Sequence, residues 1–153
     1  MHRSIRRIIP ASALAVAFLA LGSATANAGV VVNDNTPFND QTLTAVVSAP
    51  PTGTTQYTLA QCNVTSANPN DWGRDCNQAS GTAASPLTST VKSVTVNNTF
   101  TNHSFVPGAS PLHGMFTHCR DMPIAGTSQC AVVVSWYNAT FDSLGFATAP
   151  LTF

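Results

Sequence analysis

The sequence predicts a small all-β domain, a sandwich or barrel stapled by disulfides. Short runs rich in Val, Thr and aromatic residues recur between Pro, Gly and Asn turn signals. No window sustains a 3.6-residue apolar period, so no helix is expected. Four cysteines follow a start that reads as an export signal. The composition agrees: β-branched residues pack well on a pleated surface, while Ser and Asn compete with helical hydrogen bonds.

Residues 1–28 are expected to be a signal peptide. Arg3, Arg6 and Arg7 form a basic start, Ala11 to Leu21 is a short apolar run, and Ala26-Asn27-Ala28 fits the small-x-small cleavage pattern. The run is too short to span a bilayer, so the mature chain, from Gly29 to Phe153, is read as one exported domain with no membrane contact after cleavage.

The strands are then read in order. Gly29 to Val32 is a first strand, ended by Asn33 to Pro37. Gln41 to Val47 alternates through Leu43, Ala45 and Val47, and Pro50 to Gly53 stops it. Gln56 to Val64 alternates with Tyr57 and Leu59, and the polar run Thr65 to Arg74 is a loop. Thr88 to Phe100 reads as one long strand, and Thr101 to Leu112 as a loop or loose hairpin. Met115 to Cys119 and Cys130 to Tyr137 are strands joined through Arg120 to Gly126. Gly145 to Phe153 is the last, with Pro150 confining it to an edge or a bulge.

Charge and motifs exclude several functions. Beyond residue 28 the chain keeps Arg74, Lys92 and Arg120 against six Asp and no Glu, a net of −3. Direct nucleic-acid binding needs the opposite sign. The six Asp are scattered through turns and no Gly-x-Ser-x-Gly elbow occurs, so no catalytic residue is named and no enzyme is expected. His118 adjoins Cys119, but a disulfide would consume the thiol. His103, His113 and His118 with Asp121 could suit a metal, yet nothing in their spacing demands convergence, and no metal site is assigned. Asn63, Asn97, Asn102 and Asn138 each begin an N-x-Ser/Thr sequon, read as turn and strand residues.

Four cysteines allow three pairings. Cys62 with Cys76 and Cys119 with Cys130 is favoured, because each pair brackets a turn-rich segment between neighbouring strands. Closing a loop of 15 residues contributes about 3 kcal/mol in the entropic model. Longer crossed pairings would constrain the unfolded chain more, so energy alone does not choose.

Tyr57 to Cys62, Cys76-Asn77, Ser85 to Val96, Val96 to Phe100, Phe105, Cys119, Cys130 to Ser135 and the terminal strand ending in Phe153 together carry a resemblance. In that order they resemble the neocarzinostatin family of actinomycete chromoprotein apoproteins. Asn39 to Thr42 also matches that family's turn into its second strand. The resemblance implies a seven-stranded immunoglobulin-like sandwich with a flanking two-stranded ribbon and two local disulfides. It also implies a cleft that holds a non-covalent enediyne-type chromophore. The protein would protect and deliver the chromophore; antibiotic activity and DNA damage would reside in the ligand. Contact with DNA would then be indirect, in keeping with the acidic chain.

Carried over by position, the resemblance puts Cys62 and Cys76 at the cleft floor, Phe105 against the ligand and Ser135 as a pocket hydroxyl. It departs from the family at three places. Val64 stands where the best-known member has a pocket Trp, Ala131 replaces a pocket Gln, and Gly81 lies near another pocket Phe. Trp72, in a longer loop, is the candidate replacement wall. Phe100 is expected in the core, with Phe105 and Phe116 as further cleft candidates. Trp136 and Tyr137 are adjacent on a strand, so one faces the core and the other the outside, where it could line a cleft rim. The function expected is a secreted, monomeric carrier of a small apolar aromatic ligand. The alternative is a secreted immunoglobulin-like module, without chromophore, that binds a protein or a cell surface.

Overall fold

A computed structural model describes residues 29–82, 84–106, 108–119 and 129–153. The expected signal peptide, the Arg120 to Gly126 connection and Asp121 lie outside them. In chain order the strands are β1 (Gly29–Val32), β2 (Gln41–Ser48), β3 (Gln56–Asn63), β4 (Cys76–Asn77), β5 (Ser85–Pro86), β6 (Val91–Val96), β7 (Thr99–His103), β8 (Phe116–His118), β9 (Cys130–Tyr137) and β10 (Ser143–Leu151). The only helical pieces among the described residues are single 3-10 turns at Pro69–Asp71 and Gln78–Ser80.

The strands form two sheets. One has the order β1-β2-β6; the other runs β10-β9-β3-β4-β7-β8, with β5 beside the start of β3. All pairings are antiparallel. The pair β7–β8 is the ribbon, joined to the sandwich through β4. The described residues hold ten strands, of which β4 and β5 are two-residue pieces.

The core between the sheets follows the period-2 pattern. Leu43, Ala45, Val47, Val94 and Val96 meet Tyr57, Leu59, Val132, Val134, Trp136 and Leu151. Burying each large aliphatic side chain contributes about 1.5–3 kcal/mol. Tyr57 is enclosed, and its hydroxyl donates to the Ser89 carbonyl. Burial raises its phenol above the ordinary 10.0. Trp136 fills the largest core volume, with its indole N–H unpartnered. Pro150 lies on β10, the outer strand of its sheet, as a residue without an N–H requires.

One expected strand is in fact two. The run from Thr88 to Phe100 breaks at Asn97-Asn98: β6 belongs to the small sheet and β7 to the large one. The cause is the buried side chain of Gln61. Its Oε1 accepts from Asn97 N at 2.9 Å and from Asn77 Nδ2 at 3.1 Å, while its Nε2 donates to Asn97 O at 2.6 Å. These bonds take the backbone groups of Asn97 out of any ladder and turn the chain between sheets. The ribbon strand β7 then runs on to His103, inside the segment expected as loop, and the last strand starts at Ser143 rather than Gly145.

Both disulfides have the local pairing, Cys62–Cys76 and Cys119–Cys130, with sequence separations of 14 and 11.

Candidate functional site, an aromatic cleft

Strands β3 and β9 are buried on both faces, and residue parity decides which face a side chain serves. On β9, Val132, Val134 and Trp136 enter the core, while Ala131, Val133, Ser135 and Tyr137 point away from it. Across the register, Cys62 opposes Ala131, Ala60 opposes Val133 and Thr58 opposes Ser135. Ala60, Cys62, Cys76, Ala131 and Val133 form a second apolar cluster, covered by Val64, Phe105 and Phe146. Adjacent Trp136 and Tyr137 therefore divide as alternation requires: Trp136 is core and Tyr137 is half-buried on the far face.

A bulge in β10 completes that face. The register with β9 shifts between Ser143 and Gly145, which places one extra residue, Leu144, in the strand. Ser143 pairs with Tyr137 and Phe146 with Ser135, so residues of opposite parity face the same side. Gly145 supplies the backbone, at φ 147, that few side chains permit.

The opposite wall is a segment hung from the end of the 65–74 loop. Phe105 N donates to Gly73 O at 2.8 Å. Asp75, with its carboxylate 1 % exposed, accepts from Leu112 N at 2.8 Å and His113 N at 3.2 Å, and pairs with His113 Nδ1 at 2.5 Å. Arg74 Nε reaches Ser110 O at 3.1 Å. Held this way, the Phe105 ring packs edge-on to His103 at 5.1 Å and leans over Gly81.

The rim is the β9–β10 hairpin. Asn138 Oδ1 accepts from Thr140 N and Asp142 N, while Asn138 Nδ2 and Thr140 Oγ1 donate to Asp142 Oδ2 at 2.9 and 2.6 Å. This closed set holds Phe141 at φ 64, a left-handed conformation rare for a bulky residue. Its ring is 61 % exposed and lies 6.4 Å from that of Tyr137. The bonds from Thr140 and then Asn138 lower the pKa of Asp142 below its ordinary 3.8.

Between these walls lies a cavity of about 360 Å³. Ser135, Tyr137 and Phe146 come from the sheet, Phe105 and Val106 from the hung segment, and Phe141, Asp142 and Ser143 from the hairpin and bulge. Asn70 and Gly73 close it from the 65–74 loop. Its size and mainly apolar lining match small-molecule sites.

Of the residues named from sequence, the structure brings Phe105 and Ser135 into this cavity. Cys62 and Cys76 lie in the apolar cluster that Phe105 and Phe146 cover, one layer below the lining. Trp72 does not wall the cavity; it is half-buried in its own loop, with its indole N–H donated to Ser66 O at 2.9 Å. Val64 and Ala131 belong to the same covered cluster. Phe100 is buried, as expected of a core residue, and Phe116 is 54 % exposed on β8, outside the cavity. The histidines do not converge. His103 meets Phe105, His113 meets Asp75, and His118 Nδ1 meets Thr99 Oγ1 at 3.1 Å. No cluster able to hold a metal ion occurs among the described residues.

No protein-family model matches the chain, and no curated protein matches it significantly. Among solved structures it is similar to the solution conformation of apokedarcidin, with a TM-score of 0.53 and 23 % identity over 82 % of this chain and 97 % of that one. The chain has the apokedarcidin fold. The resemblance to the neocarzinostatin family carried by the cysteines and their neighbours is thereby met at the level of fold.

Sequence reasoning missed Phe141, Asp142, Ser143 and Phe146 as lining residues of the cleft in the apokedarcidin fold. A glycine inside an apolar strand pattern is a bulge signal, and Gly145 carried it. Asn138 followed by Thr140 and Asp142 is likewise turn chemistry. Neither signal says that the turn faces a cleft.

Proposed function

We propose that the protein is a secreted carrier that encloses a small, flat, apolar ligand of the enediyne-chromophore class in the cleft between Phe105 and the β9–β10 hairpin. One observation carries this reading. The cleft is open and ringed by aromatic side chains, and neither tryptophan fills it, since Trp136 packs on the other face of the sheet and Trp72 in its loop. The fold likeness to apokedarcidin, an enediyne chromoprotein apoprotein, supports it. Phe105 and Ser135 contact the ligand, and the Cys62–Cys76 bridge keeps the floor beneath it rigid. The role is binding rather than catalysis: a dry aromatic pocket denies water and thiols access to a reactive group. Antibiotic action and any DNA contact belong to the released ligand, and the carrier acts outside the cell as a monomer.

Two experiments test the reading. Protein purified from its native culture and extracted with organic solvent yields a chromophore. Flat aromatic probes shift the backbone amide resonances of Ser135 and Phe146. An empty extract together with unmoved cleft resonances overturns it. The alternative, a chromophore-free module that binds a protein or cell surface, has one observation in its favour: Leu112, Met115 and Phe116 are exposed at the outer end of the ribbon.

A further inference from the structure

We propose that Cys119 is the site at which low-molecular-weight thiols open the Cys119–Cys130 bridge, and that its opening loosens the cleft wall and releases ligand. The exchange site stands by itself; the release step rests on the carrier reading.

The two bridges differ in access. Cys62 and Cys76 are 1 % exposed and Cys130 is fully enclosed, whereas Cys119, at the end of β8, is half-buried. They also differ in what faces the sulfurs. Cys62 Sγ lies 3.7 Å from Ala60 O and Cys76 Sγ 3.4 Å from Trp72 O. A carbonyl oxygen can bond a thiol but repels a thiolate. Cys119 Sγ likewise lies 3.5 Å from Asn97 O, but there Gln61 Nε2 also directs an N–H at the sulfur from 3.4 Å. The other N–H of that amide goes to Asn97 O at 2.6 Å. A disulfide sulfur accepts weakly and a thiolate strongly, so this donor favours the opened bridge.

The chemistry is thiol–disulfide exchange. A thiol loses its proton, and its thiolate attacks Cys119 Sγ; the S–S bond breaks, and Cys130 leaves as a thiolate that takes up a proton. A second thiolate attacks the small molecule's sulfur in the mixed disulfide and frees Cys119 beside Gln61. Two thiols become one disulfide, and the bridge gains two electrons and two protons. Such thiols are kept reduced inside cells, so an exported protein meets them on entering one.

The bridge fastens the ribbon to the start of β9. The other ties are the Gln61–Asn97 bonds and two rungs to β4, Cys76 with His103 and Asn77 with Asn102. β8 is joined to β7 by three rungs and by Thr117 Oγ1, which donates to Asn102 Oδ1 at 2.7 Å. Phe105, which walls the cleft, stands two residues beyond the end of β7. Loss of the bridge therefore loosens the strand that carries the wall.

Graded dithiothreitol, followed by N-ethylmaleimide and peptide mass spectrometry, reads the order of opening. Cys119 and Cys130 are labelled at reductant concentrations about ten-fold or more below those that label Cys62 and Cys76. With that bridge alone open, hydrogen exchange at the Asn102 and Thr117 amides quickens about ten-fold, while Val132 and Val134 hold. A flat probe, 2-naphthalenemethanol, followed at the amides of Ser135 and Phe146, then binds about three- to ten-fold more weakly. The double variant Cys119→Ser, Cys130→Ser shows both changes without reductant; where it does not fold, the selectively reduced protein carries the test. Equal labelling of all four cysteines, or Cys62 and Cys76 first, overturns the site. Unchanged exchange and affinity after selective opening overturn the release step. A probe that fails to bind the oxidised protein removes the release step together with the carrier reading, while the labelling order still decides the site.

Discussion

A Cβ built on Gly81 would stand 2.5 Å from Cζ of Phe105, closer than real side chains come. The φ of Gly81 is −65°, which any residue adopts, so the missing side chain is explained by the ring alone. Gly81→Ala is expected to push Phe105 toward the cavity, lower the affinity of flat probes several-fold and cost about 1–3 kcal/mol by overpacking. The check is the Phe105 ring shift together with urea unfolding; an unmoved ring refutes the expectation. Asp142 is the second residue with a distinct signature. Its folded pKa is lowered, by the Thr140 hydroxyl first and the Asn138 amide second. Its contribution to the hairpin is therefore present above pH 3.8 and is lost as pH falls through the lower folded value. Thr140→Val should move the Asp142 titration upward toward 3.8 in a carboxyl-carbon NMR titration, and no movement would mean that the turn bonds do not hold it.

At the scale of elements, two side chains fasten strands that the sequence pattern cannot fasten. Gln61 ties β3 to the turn between β6 and β7, with its own amide shared among Asn77 and Asn97. Gln61→Leu would strand several buried partners at once, so a loss of about 2–4 kcal/mol in denaturant unfolding is expected. A change below about 0.5 kcal/mol would show that water replaces the amide. Asp75 fastens the 104–114 segment in the same way. For Asp75→Asn, hydrogen exchange at the amides of Phe105, Leu112 and His113 should quicken about tenfold or more, while amides of β9 change little. The two ties also mark the limit of sequence reasoning. β2 and β3 were legible because their alternation is a local pattern, β9 because its apolar, Val-rich run is one too, and Pro150 because a missing N–H forces an edge. The break at Asn97-Asn98 was not, because Val91, Val94 and Val96 flow into Phe100 without a turn residue that outranks them. What bends the chain there is a glutamine distant in sequence. The cleft was half legible for a related reason: Phe105 and Ser135 came from a family resemblance, whereas the aromatic rim depends on a bulge and a left-handed Phe141 set by three-dimensional bonding.

At the scale of the molecule, the Cys62–Cys76 bridge lies where the sandwich and the cleft share a sheet. Replacing both cysteines with Ala should lower global stability by about 3 kcal/mol, the amount expected for a loop of this length, and also loosen the cluster under Phe105. The joint signature is a lower denaturant midpoint together with weaker probe binding; a lower midpoint with unchanged binding would assign the bridge to the scaffold alone. The shared sheet has one more consequence. On β3 and β9, successive residues answer to two different clients, with Leu59, Val134 and Trp136 serving the keel and Ala60, Val133 and Ser135 serving the cargo side. The strands are thus written like two interleaved texts. A library that rewrites only Thr58, Ala60, Val133 and Ser135 can retailor the berth for a different cargo while every letter of the keel stays as it is.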